Sequence, residues 1–387
     1  MENTKYEKKI FYILLFFAAI VGGFICKSLN TVMIPVILAF MLSFILLPLI
    51  KLLNKKLKFP LVLSCILVTA LFVIAFFGLS SLLVTSLTSI IAEYPKYETK
   101  FMTIYELIAK NLGLEFDAGK SFIENLFKNL QIREYVQKAA IFLSSGLFSF
   151  GKNFFLLILL VVFLLVEMKL TREKIDHAFS KDKEKVNRVT HQIIYDTMRY
   201  MSIKFFISLI TGILAYIGTR AIGMNFPIIW GFISFVMNFI PVFGSIFSVI
   251  ITTLFSIMQF YPSIGKPIFV LLYMTGINMV LGNVLEPRIE GKNLGISPFV
   301  ILVSLSLWGY IWGFLGMILA VPVTVIIKIV CENIDELKGV AIVLGNTPTI
   351  ESETNKKHKK NKKAEQEMQS SKESASTNEK ENTEQNI

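Results

Sequence analysis

LVLSCILVTALFVIAFFGLSSLLVTSLTSII, residues 61–91, carries no charged side chain over its whole length. A helix that crosses a bilayer needs about 20 predominantly apolar residues, and its backbone bonds must close within the segment because no water is present to take them. Residues 61–91 meet that requirement with length to spare. Working outward, further apolar blocks occupy 11–26, 31–50, 154–166, 205–219, 228–260, 267–285 and 299–327. Over the full 387 residues the composition is 54% hydrophobic with a mean hydropathy of +0.62. A soluble domain scatters its apolar residues in amphipathic stripes; here they come in blocks. The expectation is an all-α integral membrane protein of about eight transmembrane helices, two of them broken or re-entrant, with an extracytoplasmic helical insert.

The net charge of +11 is read against that background. Basic residues flank membrane spans on the cytoplasmic side, and no basic stripe interleaved with exposed aromatics calls for nucleic acid. Lys5, Lys8 and Lys9 hold the N-terminus inside. Lys51, Lys55, Lys56 and Lys58 mark an inner loop, and so does the basic excess from Lys169 to Arg188. Residues 93–152 then fall outside. The layout expected is spans one to three in 1–92, the insert in 93–152, a fourth span in 153–168, a cytoplasmic amphipathic segment in 169–202, a core in 203–338 and a disordered tail in 339–387. Both termini lie in the cytoplasm.

Helical spacing is visible outside the spans. In the insert it links Phe101, Ile104, Tyr105 and Ile108, and again Phe122, Ile123, Leu126 and Leu130; in the cytoplasmic segment it links Val186, Val189, Ile193 and Thr197. The tail carries Lys356, Lys357, Lys359, Lys360, Lys362 and Lys363, a cluster suited to anionic lipid headgroups. Cys26, Cys65 and Cys331 sit in or beside apolar spans without metal-ligand or redox spacing. His177, His191 and His358 have no ligand partners at useful spacing, and no GxSxG, P-loop or GxGxxG occurs. No enzymatic activity, metal or cofactor is expected.

Residues 225–330 carry the functional information. The stretch 228–260 exceeds one span and is punctured at Asn238-Phe-Ile-Pro241-Val-Phe-Gly244. Pro241 has no N–H to donate and clashes with the preceding turn, and Gly244 tolerates a sharp bend. The stretch 299–330 has the same length and a similar break, Trp308-Gly309-Tyr-Ile-Trp312-Gly313-Phe-Leu-Gly316, followed by Pro322. Such backbone survives at membrane depth only where protein or a wet cavity satisfies it, and paired interrupted segments point to the binding region of a transporter. Two topologies stay open: both stretches cross, or both fold back as hairpins. Between them runs Asn283-Val-Leu-Glu286-Pro287-Arg288-Ile-Glu-Gly291, continuing through Gly295 to Ser297-Pro298. Glu286 stands at the lip of a span, with Arg288 the nearest basic partner in sequence, and is read as a gate or hinge.

These three blocks, in this order and spacing, resemble the autoinducer-2 exporter (AI-2E) family of bacterial permeases, with coverage from about residue 8 to 340. The resemblance implies a plasma-membrane homo-oligomer, with a pentamer as the suggested form, that transports rather than transforms its solute. The family includes members assigned to autoinducer-2 export, to Na+/H+ exchange and to sporulation. The expected function is export of a small hydrophilic solute of the autoinducer-2 type by alternating access. A cation/proton antiporter and a non-transporting membrane scaffold are the alternatives. Glu167 and Glu286 lie only at span ends, which argues against coupled ion exchange.

Overall fold

The computed structural model describes residues 2–111, 154–167, 183–290 and 295–345. The second insert stripe at 122–130, Gly291 and the lysine cluster at 356–363 lie outside the described residues.

The chain is helical wherever the apolar blocks lie. α1 (Glu2–Ser28) passes into α2 (Asn30–Lys56) with only Leu29 between them. α3 (Leu61–Asn111) is continuous through the charge-free stretch and past it. The stripe at 101–108 therefore lies on the same helix as the third span instead of forming a helix of its own. α4 (Phe154–Glu167) packs back on α2 and α3 through Val161, Leu165, Ile50, Cys65 and Val68. The Phe76 and Phe154 rings stack at 4.5 Å where α3 and α4 meet. α5 (Lys183–Ala221) joins the amphipathic segment and the fifth span in one helix.

Both long apolar stretches fold back on themselves. α6 (Pro227–Met237) and α7 (Phe243–Phe260) flank the break at 238–242. At about 1.5 Å per residue, Trp230 and Phe255 would stand about 37 Å apart on a straight helix, yet their rings lie 4.7 Å apart. The base of this first hairpin is tied by Gln259, whose Nε2 donates to Gly223 O (2.9 Å) while its Oε1 accepts from Asn225 N (2.8 Å). At the turn Val242 takes φ +65°, and a β-carbon at Gly244 would overlap the Met237 carbonyl oxygen. The eleven residues of α6 reach only about 16 Å, half the roughly 30 Å hydrocarbon core.

α9 (Pro298–Asn333) is helical on both sides of Gly313, where φ is +64° and ψ −142°. On a straight helix Ser304 and Ala320 would be about 24 Å apart; instead the Ser304 hydroxyl lies 3.3 Å from the Ala320 carbonyl oxygen and bonds the Thr324 hydroxyl. The stretch is a second hairpin. Its turn falls at Gly313, the residue type that adopts that backbone without strain. Pro322 is fully buried within the second arm, which stays helical through it. Of the two topologies the sequence leaves open, the structure takes the hairpins.

α8 (Gly265–Asn278) continues through a π-helical segment, Met279–Leu285, into the short helix Glu286–Glu290. After the second hairpin, α10 (Lys338–Leu344) returns to pair Gly345 with Ile296 beside the hairpin base. α5 and α6 cross at Gly212 and Gly231, where a β-carbon on either would lie 2.8 Å from the other's carbonyl oxygen. Small residues permit such close approach in a membrane bundle.

The hairpin turns set a stability prediction. Gly244→Ala or Gly316→Ala, each forcing a methyl into a carbonyl oxygen, should each cost about 2 kcal/mol. Gly22→Ala, which meets nothing within 4 Å, should cost nothing. Thermal unfolding in detergent checks the contrast.

Candidate functional site

α5 organises the site. Thr197, Met201, Lys204, Ser208, Thr211, Ala215 and Thr219 are all buried. They recur every three or four residues and so form one stripe along the helix. Thr211 and Thr219 satisfy their hydroxyls on their own helix, on the Ile207 and Ala215 carbonyls. Ser208 and Lys204 do not turn inward in this way. Ser208 Oγ accepts from Asn238 Nδ2 at 3.0 Å. One turn away, Lys204 Nζ meets Glu286 Oε1 at 2.6 Å, with the two side chains 6% and 14% exposed. α5 therefore holds the break of the first hairpin and the end of α8 by adjacent residues.

The partner of Glu286 is thus Lys204, not Arg288. Arg288 is exposed, two residues further round the end of the helix. Sequence proximity suggested it, but a helix sends neighbouring side chains in different directions, and only Glu286 points to α5. Lys204 sits at the edge of the fifth apolar block and reads in sequence as a flanking charge. A signal was present: the stripe through Val189, Ile193 and Thr197, continued by steps of three and four, lands on Met201, Lys204 and Ser208. No other charged residue among the described ones is as buried.

The remaining expected residues divide between the two hairpins and their link. Asn238 is buried at the first break, with Pro241 half-buried and Gly244 buried beside it. Ile240, at the turn, packs against Leu305 and Ala320 between the arms of the second hairpin, with Ile301, Trp308 and Met317 around them. The two interrupted stretches therefore meet. Their bases lie at different points along α5. The first hairpin is based at Gly223 and Asn225, just beyond the helix's C-terminal end. The second is based at Ile296, which shares a core with Tyr200 and Met201 in the other half.

At the second turn Trp308 and Trp312 lie 4.7 Å apart. Trp312 Nε1 donates to Cys26 O at 3.0 Å, capturing the end of α1. A β-carbon at Gly309 would lie 3.0 Å from Met317 Cγ, and one at Gly316 would overlap the Trp308 carbonyl oxygen, so both glycines set the closeness of the arms. Gly313 is exposed at the tip. In the link, Asn283 and Pro287 are exposed, Gly295 takes φ +66°, and Ser297 N donates to Leu344 O at 3.0 Å before Pro298 opens α9.

A further polar group gathers at the opposite end of α5. Asn225 Nδ2 donates to Glu93 Oε2 (3.2 Å) and to the Tyr97 hydroxyl, and Trp230 Nε1 donates to Asn225 O (2.9 Å). The extension of α3 beyond its apolar stretch is thereby fastened to the base of the first hairpin. Sequence reading placed Glu93 only as the start of an insert.

The arrangement predicts how the charges couple. Removing one member of a buried pair strands the other, so Lys204→Met and Glu286→Leu should each cost about 3 kcal/mol, and the double variant less than about 1 kcal/mol. Arg288→Gln should stay within about 0.5 kcal/mol. A double-mutant cycle on thermal unfolding reads the difference.

The family model described as "AI-2E family transporter" matches residues 10–336. A chain of Borreliella burgdorferi named "Putative transport protein" is 30% identical over 350 residues, covering 89% of this chain and 92% of its own. "AI-2 transport protein TqsA" of Escherichia coli is 30% identical over 328 residues, 81% of this chain and 90% of its own. A further "Putative transport protein", from Haemophilus influenzae, is 29% identical over 326 residues, 83% and 92% of the two chains. With a match running from the first span through both hairpins, this multi-pass membrane protein belongs to the AI-2E transporter family.

Proposed function

We propose that this transporter exports a small hydrophilic solute of the autoinducer-2 type across the plasma membrane by alternating access. The observation that carries the reading is the meeting of two opposed re-entrant hairpins, with the Asn238–Val242 break of one set against the arms of the other. Broken helices facing each other at membrane depth are the geometry in which transporters bind solutes, because their free backbone groups need a polar partner. The solute class is supported by the name of the E. coli relative, an AI-2 transport protein. Buried hydroxyls and an amide along this path, Ser208, Asn238 and Ser304 among them, suit an uncharged hydroxylated molecule. Residues 203–338 form the transport core.

Placement of both termini in the cytoplasm follows from the lysines at 51–58 and in the tail. The outward face of α7, with Phe243, Phe247, Ile250 and Leu254 exposed, suits lipid or further copies of this chain, and we include homo-oligomerisation in the proposal.

Flux of autoinducer-2 into inverted vesicles tests the reading. Pro241→Ala and Glu286→Gln should each lower flux several-fold while the protein remains in the membrane. Unchanged flux in both would remove these residues from the mechanism. The buried Lys204–Glu286 pair favours a second reading, cation/proton exchange. A sodium-driven pH change in proteoliposomes, absent with autoinducer-2 alone, would select it.

A further inference from the structure

The ion pair between Lys204 and Glu286 stands beside an unusual backbone. α8 is regular to Asn278, then π-helical from Met279 to Leu285. The Glu286 amide donates to Leu281 O, five residues back. A π-segment holds extra residue length within a helix, is less favourable than an α-turn, and is frequent at functional sites. Its consequence here is directional. Each residue of an α-helix turns the chain by about 100°, so the register taken up by the π-segment decides where Glu286 points. In the described conformation it points at Lys204. Drawn into regular α-helix, the segment would swing the carboxylate away from α5.

A second contact holds the same end. Arg199 Nη2, one turn and more along α5 from Lys204, donates to Ile289 O at 3.3 Å. Beyond Glu290 the chain reaches Ile296 and Ser297, which fasten the base of the second hairpin to Gly345 and Leu344. Through Lys204 and Arg199, α5 thus holds the segment after α8 at two points. The pair itself is a poor choice for simple stability, because a buried ion pair is commonly matched or bettered by apolar residues of similar volume. The apolar contacts of Ile207 with Ile277 and Leu281 already fix α8 to α5.

We propose that Lys204 and Glu286 form a latch whose closed state is the π-segment: with the pair made, residues 279–285 stay π-helical and the segment through Ile289 is held against α5; with the pair broken, residues 279–285 straighten and Glu286 turns away from α5. Lys204 is a positioning residue in this device, acting on the π-segment through Glu286. The latch rests on the transporter reading, since it supplies the motion that alternating access requires.

The test uses the full chain in proteoliposomes, with Cys26, Cys65 and Cys331 replaced by alanine. Gly282→Cys serves as the reporter, because a β-carbon there meets nothing within 4 Å. The probe is a membrane-impermeant maleimide applied from each side. The apolar pair Lys204→Met with Glu286→Leu strands no charge and removes the attraction that holds the latch. It should raise the labelling rate at position 282 about fivefold or more. The reversed pair, Lys204→Glu with Glu286→Lys, should return the rate to within about twofold of the starting chain; should it not fold, Lys204→Arg, which keeps a cation facing Glu286, takes its place with the same expectation. An unchanged rate in the apolar pair overturns the latch, as does a raised rate in the charge-retaining variant. Labelling needs no solute, so the latch stands or falls on these rates and the transport reading on flux.

Discussion

Backbone amides and carbonyls cannot be left open to hydrocarbon, and the rest of this structure follows from where the chain breaks that regularity. It does so at Asn238–Val242 and at Gly313. The first break is set against protein on both sides: α5 supplies Ser208 to Asn238, and the second hairpin receives Ile240. The second break captures the end of α1 through Trp312 and Cys26. Protein contacts thereby flank each interruption, while Val242 and Gly313 themselves stand exposed at the two tips.

α5 is the rail on which these parts are mounted. Its buried stripe changes character along its length: Lys204 faces α8, Ser208 faces the first hairpin, and Thr211 and Thr219 bond their own helix. Because Lys204 and Ser208 are a single turn apart, a shift of α5 acts on the first break and on the end of α8 together. At the opposite end, Asn225, Glu93 and Tyr97 fasten the first hairpin to the long third helix. The first hairpin thus has a fixed base and a tip that meets the second. The second hairpin has its base at Ile296, in one core with Tyr200 and Met201 of α5.

The family assignment agrees with this division of labour. The match spans 10–336, taking in the spans that build the frame and both hairpins, while the lysine-rich tail lies outside it. Three glycines of the blocks shape the hairpin turns: Gly244 and Gly316 admit a carbonyl oxygen where a methyl would not fit, and Gly313 takes a backbone conformation strained for other residues.

The sequence by itself determined that the chain lives in a bilayer, where its apolar blocks lie, and which two stretches are interrupted. Those are local properties: the length of an apolar run, the missing N–H of Pro241, the missing side chains of Gly244 and Gly316. It left open whether the interrupted stretches cross or return, because a Pro or Gly permits a turn without stating its angle. It also misdirected the partner of Glu286 to Arg288, two residues away, where the structure supplies Lys204 from eighty-two residues back. Only the tertiary structure decided these matters. Which side chains meet across helices depends on the rotation of each helix about its axis, and here a π-segment, with no clear mark in the sequence, sets that rotation.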